Sequence, residues 1–159
     1  MYCINLPSPI GPVAIHGTDT TITAISCKES EEVKPDTLPD IFRLCIEEFE
    51  AYFAGDLKAF TFPMAQPGTD FQQTVWEQLT KIPYGQTISY LTLAKRINNP
   101  KSIRAVGTTN GKNRLWIAVP CHRVIGSDGS LTGYAGGIWR KKWLLEHEMK
   151  YTYGNNLLF

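Results

Sequence analysis

The chain divides near residue 69 into an acidic half and a basic half. Of its 159 residues, positions 1–69 carry four Lys or Arg against ten Asp or Glu, a net charge of −6, whereas positions 70–159 carry twelve against five, a net of +7. A basic half attached to an acidic one is typical of a protein in which one half alone meets a polyanion. Ordinary charge segregation between two subdomains produces the same contrast, so charge alone leaves both interpretations open.

The hydrophobic pattern changes at the same place. Short β-branched runs at 13–15 and 20–25 predict strands, and apolar residues at helical spacing predict a helix over 40–54 that ends at Gly55. Two prolines within 60–67 indicate a linker. We therefore expect an α/β domain over residues 1–66.

The second half is predicted to be mainly helical. Thr69-x-x-Gln72 is a capping-box pattern, Ser89 can cap a short helix, and Asn99 can serve as an N-cap with Pro100 at the first helical position. The predicted helices cover about 70–82, 89–96, 101–110 and 138–149, with a short strand at 117–119. The two short helices in the middle are a helix-turn-helix candidate.

The cysteine spacing argues against a metal site. The four cysteines, Cys3, Cys27, Cys45 and Cys121, show no CxxC or Cys/His ligand spacing, so we expect no metal, no disulfide framework and no cofactor. The N-terminus lacks the regions of a signal peptide, and no apolar run approaches membrane length. These features predict a cytoplasmic protein from a reducing compartment, with no membrane partner.

The segment Pro120-Cys121-His122-Arg123-Val124 carries the most chemistry. A thiol becomes a strong nucleophile only as the thiolate, so it needs a base or a positive charge nearby, and His122 and Arg123 follow it directly. Sequence neighbours do not face each other in regular structure, so a turn or a bridging water is expected to couple Cys121 to a histidine. A lone Cys-His pair is more often a buried structural cysteine, and His147 is an alternative base.

The pentapeptide resembles the active-site signature of the O6-alkylguanine-DNA alkyltransferases, also called methylated-DNA–protein-cysteine methyltransferases. Other segments recur at the spacing of that family: Gly68-Thr69-Asp70-Phe71-Gln72-Gln73, Ile82-Pro83-Tyr84-Gly85, Ser89-Tyr90, Asn99-Pro100-Lys101, Arg104-Ala105-Val106-Gly107, Asn113, Gly133-Tyr134 and Trp143-Leu144-Leu145-x-His147-Glu148. The resemblance implies an α/β, ribonuclease-H-like N-terminal subdomain over 1–66. It further implies a mainly α, winged-helix-like domain with a helix-turn-helix over 67–152, which binds DNA and accepts the alkyl group. Residues 153–159 are left as a tail to which no role is assigned.

The same resemblance implies roles at the reaction centre. Cys121 is the nucleophile and methyl acceptor, His122 acts as its base through a water, and Glu148 orients His122. The Tyr90 hydroxyl reaches guanine N3, the backbone N–H of Ala135 reaches O6, and the carbonyls of Val119 and Cys121 accept from the exocyclic amine. Tyr134 forms the pocket wall, and Asn113 braces the loop beside the cysteine.

The predicted recognition helix, 102–109, has small residues and a single arginine, Arg104. Major-groove reading normally uses several Arg, Asn or Gln side chains, so this composition favours sequence-independent binding from the minor groove. By resemblance, Arg104 enters the gap left by a flipped nucleotide, Tyr90 helps the flipping, and Asn99 and Ser127 contact the DNA backbone. Lys101, Lys112, Arg114 and Arg123 are expected to attract phosphates.

The predicted function is DNA repair by irreversible, single-turnover transfer of an alkyl group, mainly methyl, from guanine O6 to Cys121. The partner is double-stranded DNA carrying O6-alkylguanine, with O4-alkylthymine left open as a second substrate, and the protein is expected to be a monomer. The main alternative is a non-catalytic alkyltransferase-like damage sensor, although such proteins typically carry tryptophan where this chain has Cys121. A thiol hydrolase leaves the basic half unexplained, and a transcription factor does not suit the small-residue helix.

Overall fold

The computed structural model describes residues 1–154, which divide into two compact units. The first unit comprises Met1–Gln66 together with Arg114–Trp116. The second comprises Pro67–Asn113 and resumes at Ile117. The chain therefore leaves the second unit for three residues just before it reaches the cysteine segment.

The first unit is built on a three-stranded antiparallel sheet. Strands β1 (Tyr2–Leu6), β2 (Val13–Gly17) and β3 (Ile22–Ser26) pair in the order β1-β2-β3. Ile4 lies opposite Ile15, and Ile15 lies opposite Ile25, so three buried β-branched side chains form one row across the sheet. Such cross-strand pairs on a buried face are the main stabilising unit of a sheet.

Helix α1 spans Asp40–Ala54, which confirms the predicted range. It ends where Gly55 adopts a left-handed conformation with φ 86°, a conformation that glycine accepts without a Cβ clash. The helix buries Phe42, Cys45, Phe49 and Tyr52 among others, and the Phe42 ring makes an edge contact with Tyr2 of β1.

The predicted linker over 60–67 is wrong for residues 60–66, which belong to the first unit. The N–H of Ile22 donates to the Pro63 carbonyl at 3.0 Å, and the Phe60 ring lies 4.8 Å from that of Phe49. The buried carboxylate of Glu48 accepts hydrogen bonds from the N–H groups of Thr61 and Phe62. Phe62 is a core residue and Phe60 packs on Phe49, and these contacts outweigh the turn tendency of the prolines in the segment.

The predicted strand at 117–119 is also wrong. The extended pairing occurs slightly earlier, where the N–H of Ile25 donates to the Arg114 carbonyl at 2.8 Å and that of Trp116 donates to the Ile25 carbonyl at 3.2 Å. Ile117 has φ 73° and lies in a turn, outside the β region of backbone conformations. This turn returns the chain to the second unit.

The second unit begins with helix α2 (Asp70–Thr80), whose capping box between Thr69 and Gln72 is confirmed. Trp76, which the predicted apolar stripe omitted, is buried, and its indole N–H donates to the Thr109 carbonyl at 3.0 Å. This bond joins α2 to helix α4 (Ile103–Gly111).

Helix α3 spans Tyr90–Arg96 and is capped as predicted by Ser89, whose hydroxyl accepts from the N–H of Thr92. Helix α4 starts at Ile103, two residues later than predicted. The preceding residues form a turn that is closed by the Ser102 N–H donating to the Asn99 carbonyl, so Asn99 and Pro100 lie in the turn and do not cap the helix.

The remaining elements close the second unit. Two-residue strands β4 (Ile88–Ser89) and β5 (Val124–Ile125) pair in parallel, and a 3₁₀ turn covers Cys121–Arg123. Helix α5 spans Ile138–Tyr153, four residues beyond its predicted end. It therefore takes in the first residue of the predicted tail, 153–159, of which residues 155–159 lie outside the described residues.

None of the helices within residues 1–154 has the length and apolar character to cross a membrane.

Candidate active site

Cys121 is the first residue of the 3₁₀ turn and is 5% exposed. The turn follows Pro120, whose carbonyl accepts from the Arg123 N–H at 3.0 Å. Two side-chain amides hold the turn, one from the last turn of α4 and one from just beyond that helix: Asn110 Nδ2 donates to the Cys121 carbonyl at 3.3 Å, and Asn113 Nδ2 donates to the Val119 carbonyl at 2.8 Å. The structure thus places Asn113 and Val119 beside the cysteine, and it adds Asn110, which the sequence analysis missed.

The buried environment opposes ionisation of the thiol. Burial raises the pKa of Cys121, while a hydrogen bond from Asn113 and the positive charge of Lys141 act in the opposite direction. Because the net pKa is above the ordinary value, the cysteine at neutral pH is mainly a thiol and needs help to become a nucleophile.

His122 and Glu148 form a fully buried pair. Their side chains are both 0% exposed, and His122 Nε2 lies 2.7 Å from Glu148 Oε2. Burial lowers the pKa of His122, and Glu148 only partly offsets this effect, so the imidazole is neutral at neutral pH. A neutral imidazole that donates its Nε2–H to the carboxylate keeps Nδ1 as an acceptor, and Nδ1 is buried without a hydrogen-bond partner among residues 1–154.

His147, the other candidate base, lies elsewhere. Its ring stacks on Trp143 with 4.7 Å between centroids and makes an edge contact with Tyr151. The carboxylate of the adjacent Glu148 contacts His122 instead. The structure therefore places His122, and not His147, in the buried pair with Glu148.

Arg123 is not a phosphate contact, which corrects the prediction from sequence. The side chain is buried, and its guanidinium donates through Nε to Glu148 Oε1 at 2.7 Å and through Nη2 to Oε2 at 3.0 Å. Nη1 donates to the Ile82 carbonyl at 2.7 Å. Burial alone raises the pKa of Glu148, but His122 and Arg123 outweigh it and hold that pKa well below its ordinary value. Glu148 is therefore ionised at neutral pH.

Tyr90 and Lys141 meet at one backbone carbonyl. The Tyr90 hydroxyl and the Lys141 ammonium both donate to the Thr132 carbonyl, at 3.2 and 2.8 Å, and Lys141 also donates to the Val124 carbonyl at 2.6 Å. Burial raises the pKa of Tyr90. Nothing in the spacing of the sequence distinguishes Lys141 from its exposed neighbour Lys142, so sequence reasoning missed it.

The residues predicted to meet DNA are mostly at the surface. Arg104, Asn99, Ser127 and Ala135 are exposed, whereas Tyr134 is buried. A groove of about 550 Å³ lies beside Arg104 and is lined by residues from the start of α2 and from α4 with its preceding turn, Thr69, Phe71, Gln72, Lys101, Ser102, Arg104, Ala105, Thr108 and Thr109. Lys101 and Arg104 give this groove a positive rim.

A buried cysteine followed directly in the chain by the histidine of a buried histidine–carboxylate pair is the arrangement expected of the class of proteins that use a cysteine nucleophile. Residues 1–66 match the family model for the ribonuclease-like domain of 6-O-methylguanine DNA methyltransferase, and residues 70–150 match the model for its DNA binding domain. Because the two matches cover nearly the whole chain, the chain belongs to the 6-O-methylguanine DNA methyltransferase family.

Individual relatives agree with the family match. The methylated-DNA–protein-cysteine methyltransferase of Methanosarcina acetivorans is 46% identical over 154 residues, covering 93% of this chain and 98% of the relative. That of Mycobacterium bovis is 46% identical over 148 residues, covering 91% and 90%. The crystal structure of Mycobacterium tuberculosis OGT in complex with DNA superposes with a TM-score of 0.86 at 43% identity, covering 95% of this chain and 94% of that one.

Proposed function

We propose that this chain repairs DNA by transferring an alkyl group, mainly methyl, from O6 of guanine in duplex DNA to the sulfur of Cys121. The single observation that carries the proposal is the buried Cys121 turn adjoining the His122–Glu148 pair. The relatives named methylated-DNA–protein-cysteine methyltransferase supply the reaction class, and a neighbour solved in complex with DNA supports the partner.

In the proposed reaction the Sγ–C bond forms as the C–O6 bond breaks. The thiol proton passes through a water to Nδ1 of His122, and the electron pair of the broken bond stays on guanine. The Tyr90 hydroxyl gives a proton to guanine N3 as charge develops on the leaving base, so the products are S-alkylcysteine and guanine. Glu148 holds the imidazole through Nε2 and so leaves Nδ1 available to take the thiol proton.

Other residues are proposed to hold the base. The Ala135 N–H donates to O6, the Val119 and Cys121 carbonyls accept from the exocyclic amine, Tyr134 forms the pocket wall, and Asn113 braces the turn through its bond to Val119. Because a thioether resists hydrolysis, the product is permanent, and each protein molecule acts once.

Intact-protein mass spectrometry after incubation with a duplex containing one O6-methylguanine tests this function. We expect a mass gain of one methylene that saturates at one per protein and that is absent in Cys121→Ala. Tight binding to the lesion with no mass gain would instead support the alternative function, a damage sensor. Repeated turnover of a thioester substrate by Cys121 would support a hydrolase.

Helices α3 and α4 are proposed to form the DNA-binding helix-turn-helix. They are joined by the turn over 97–102, and α4 exposes Arg104 beside the small residues Ala105 and Gly107. In this proposal α4 approaches the minor groove, Arg104 fills the space of the flipped nucleotide, and Tyr90 assists the flipping. Asn99 and Ser127, both exposed, contact the DNA backbone.

Arg104→Ala is expected to slow transfer from duplex DNA by about 10- to 100-fold, because unstacking and unpairing a nucleotide costs a few kcal/mol that Arg104 helps to offset. Reaction with free O6-benzylguanine needs no flipping and should keep its wild-type rate. Single-turnover rates on both substrates measure the two effects. Arg43→Ala, an exposed arginine on α1, is the control and should change neither rate. An equal loss on both substrates would contradict the role of Arg104 in flipping.

The two parts of the chain have different roles in this proposal. Residues 1–66 are structural, residues 67–152 bind DNA and accept the alkyl group, and the family-model ranges support this division. The protein is proposed to act as a monomer in the cytoplasm, on the nucleoid if prokaryotic. O4-alkylthymine is a second substrate to test in the same mass assay.

A further inference from the structure

Lys141 is a buried cation held by neutral groups. Its side chain is 0% exposed, and its ammonium donates to the carbonyls of Val124 and Thr132 at 2.6 and 2.8 Å. Within residues 1–154, no carboxylate forms an ion pair with it. Removing an ammonium from water is costly unless an anion compensates for the lost hydration. The position therefore calls for a negative charge that arises nearby.

Cys121 is the group that can supply this charge, because the Val124 carbonyl that binds the ammonium belongs to the residue whose N–H donates to the Cys121 carbonyl at the end of the 3₁₀ turn. The Lys141 cation lowers the pKa of Cys121, and the Cys121 thiolate in turn raises the pKa of Lys141, which burial otherwise depresses, leaving it at about 8. The influence is mutual, as electrostatic coupling between two groups requires. Both residues lie in the second unit.

The other two basic side chains of the cluster do not provide a net positive charge. Burial lowers the pKa of His122, which leaves its imidazole neutral at neutral pH. The guanidinium of Arg123 is bound at two points by the ionised carboxylate of Glu148. Lys141 is thus the uncompensated cation among the charged groups described around Cys121.

We propose that Lys141 is a positioning residue whose ammonium, fixed by the Val124 and Thr132 carbonyls, acts as the counter-ion of the Cys121 thiolate. This inference deepens the proposed function and rests on it for its biological meaning. In the step concerned, the thiol proton leaves for Nδ1 of His122 through a water, and the remaining negative charge on Sγ faces the ammonium of Lys141. The attacking sulfur is stabilised before it meets the alkyl carbon.

The pH dependence of Cys121 alkylation by iodoacetamide tests this role without DNA. Peptide mass spectrometry gives the rate at Cys121 between pH 5 and 10. We expect Lys141→Gln to raise the thiol pKa by one to two units, which lowers the rate at pH 7 by about 10- to 100-fold because the thiolate fraction falls tenfold per unit. Lys141→Arg keeps the charge and should keep most of the thiolate. The titrating groups around the sulfur are Tyr90 on α3, His122 in the turn, and Lys141 and Glu148 on α5.

Lys142→Gln is the matched control, since Lys142 is the next residue on α5, is exposed and pairs only at the surface with Glu146. It should leave the thiol pKa unchanged. A purely structural role for Lys141 predicts a lower melting temperature of Lys141→Gln with an unmoved thiol pKa, and that result would overturn the proposal. A negative result in the methyl-transfer assay would not decide the role of Lys141, because the reaction of Cys121 with iodoacetamide requires neither DNA nor a flipped base.

A second measurement covers the case in which Lys141→Gln does not fold. In protein carrying ¹³C-labelled lysine, the titration of the Lys141 ε-carbon is compared between the wild type and Cys121→Ser. Removing the thiolate should lower the Lys141 pKa, because the two groups affect each other equally. An identical Lys141 pKa in both proteins would show that no thiolate faces it.

Discussion

Replacing Glu148 with Gln will slow alkyl transfer to Cys121 by about 10³- to 10⁴-fold, the loss expected when a histidine base is held in the wrong tautomer. Glu148 accepts the Nε2–H of His122 at 2.7 Å and thereby leaves Nδ1 free of a proton. A glutamine amide can donate to Nε2, and the proton then moves to Nδ1. The imidazole can no longer take the thiol proton.

Single-turnover rates on a duplex with one O6-methylguanine measure this effect, and equilibrium binding to the same duplex should be unchanged. Glu146→Gln is the matched control because Glu146 lies on the same helix, two residues earlier, and forms only a surface pair with Lys142. A loss of less than about tenfold, below the range of general-base effects, would mean that Glu148 does not act through His122.

Arg123→Met should lower the free energy of unfolding by about 3–5 kcal/mol, because it leaves the buried carboxylate of Glu148 without its guanidinium. The two groups share two hydrogen bonds at 2.7 and 3.0 Å, and Arg123 also ties the turn to the Ile82 carbonyl. Urea denaturation at pH 7 gives the free energy. Arg96→Met, at an exposed position in the last turn of α3, should cost little.

The double variant Arg123→Met with Glu148→Leu provides the stricter test. Removing both charges replaces an orphaned buried carboxylate by apolar groups, so the double variant should be more stable than Arg123→Met alone. Additive losses would show that Arg123 acts through packing and not through Glu148.

The difference between wild type and Arg123→Met should also depend on pH. The folded-state pKa of Glu148 is depressed below the value of 4.5 for a free glutamate, so its contribution is fully present above pH 4.5. That contribution is lost as the pH falls through the folded-state pKa. The two proteins should therefore converge in stability in strong acid.

Local chemistry explains which parts of the structure could be predicted from sequence. The capping box of α2, the Ser89 cap of α3 and the full range of α1 depend on side chains three or four residues apart, which the sequence shows directly. The start of α4 could not be placed to the residue, because Asn99 and Pro100 suit a tight turn as well as a helix N-terminus.

Arg123 and Lys141 show what sequence reasoning could not reach. Basic side chains such as these are normally solvated. Their burial here depends on hydrogen-bond partners that lie 25 residues away in the sequence for Arg123, and 17 or 9 residues away for Lys141. Only the folded chain brings those partners together. The cysteine motif could be recognised from the sequence because its residues are neighbours in the chain. The charged groups that affect the pKa of the cysteine come from distant segments.

The bonds from Asn110 and Asn113 to the cysteine turn have a mechanical consequence. The helix proposed to grip the duplex is fastened at its far end to the backbone that carries the sulfur. The protein then needs no rearrangement between binding DNA and reacting with it, because a protein that is bound in the correct position already has its thiol aligned. The same hydrogen bonds limit how far the sequence can diverge. A substitution that shifts α4 also displaces the sulfur, so DNA binding and thiol reactivity must evolve together.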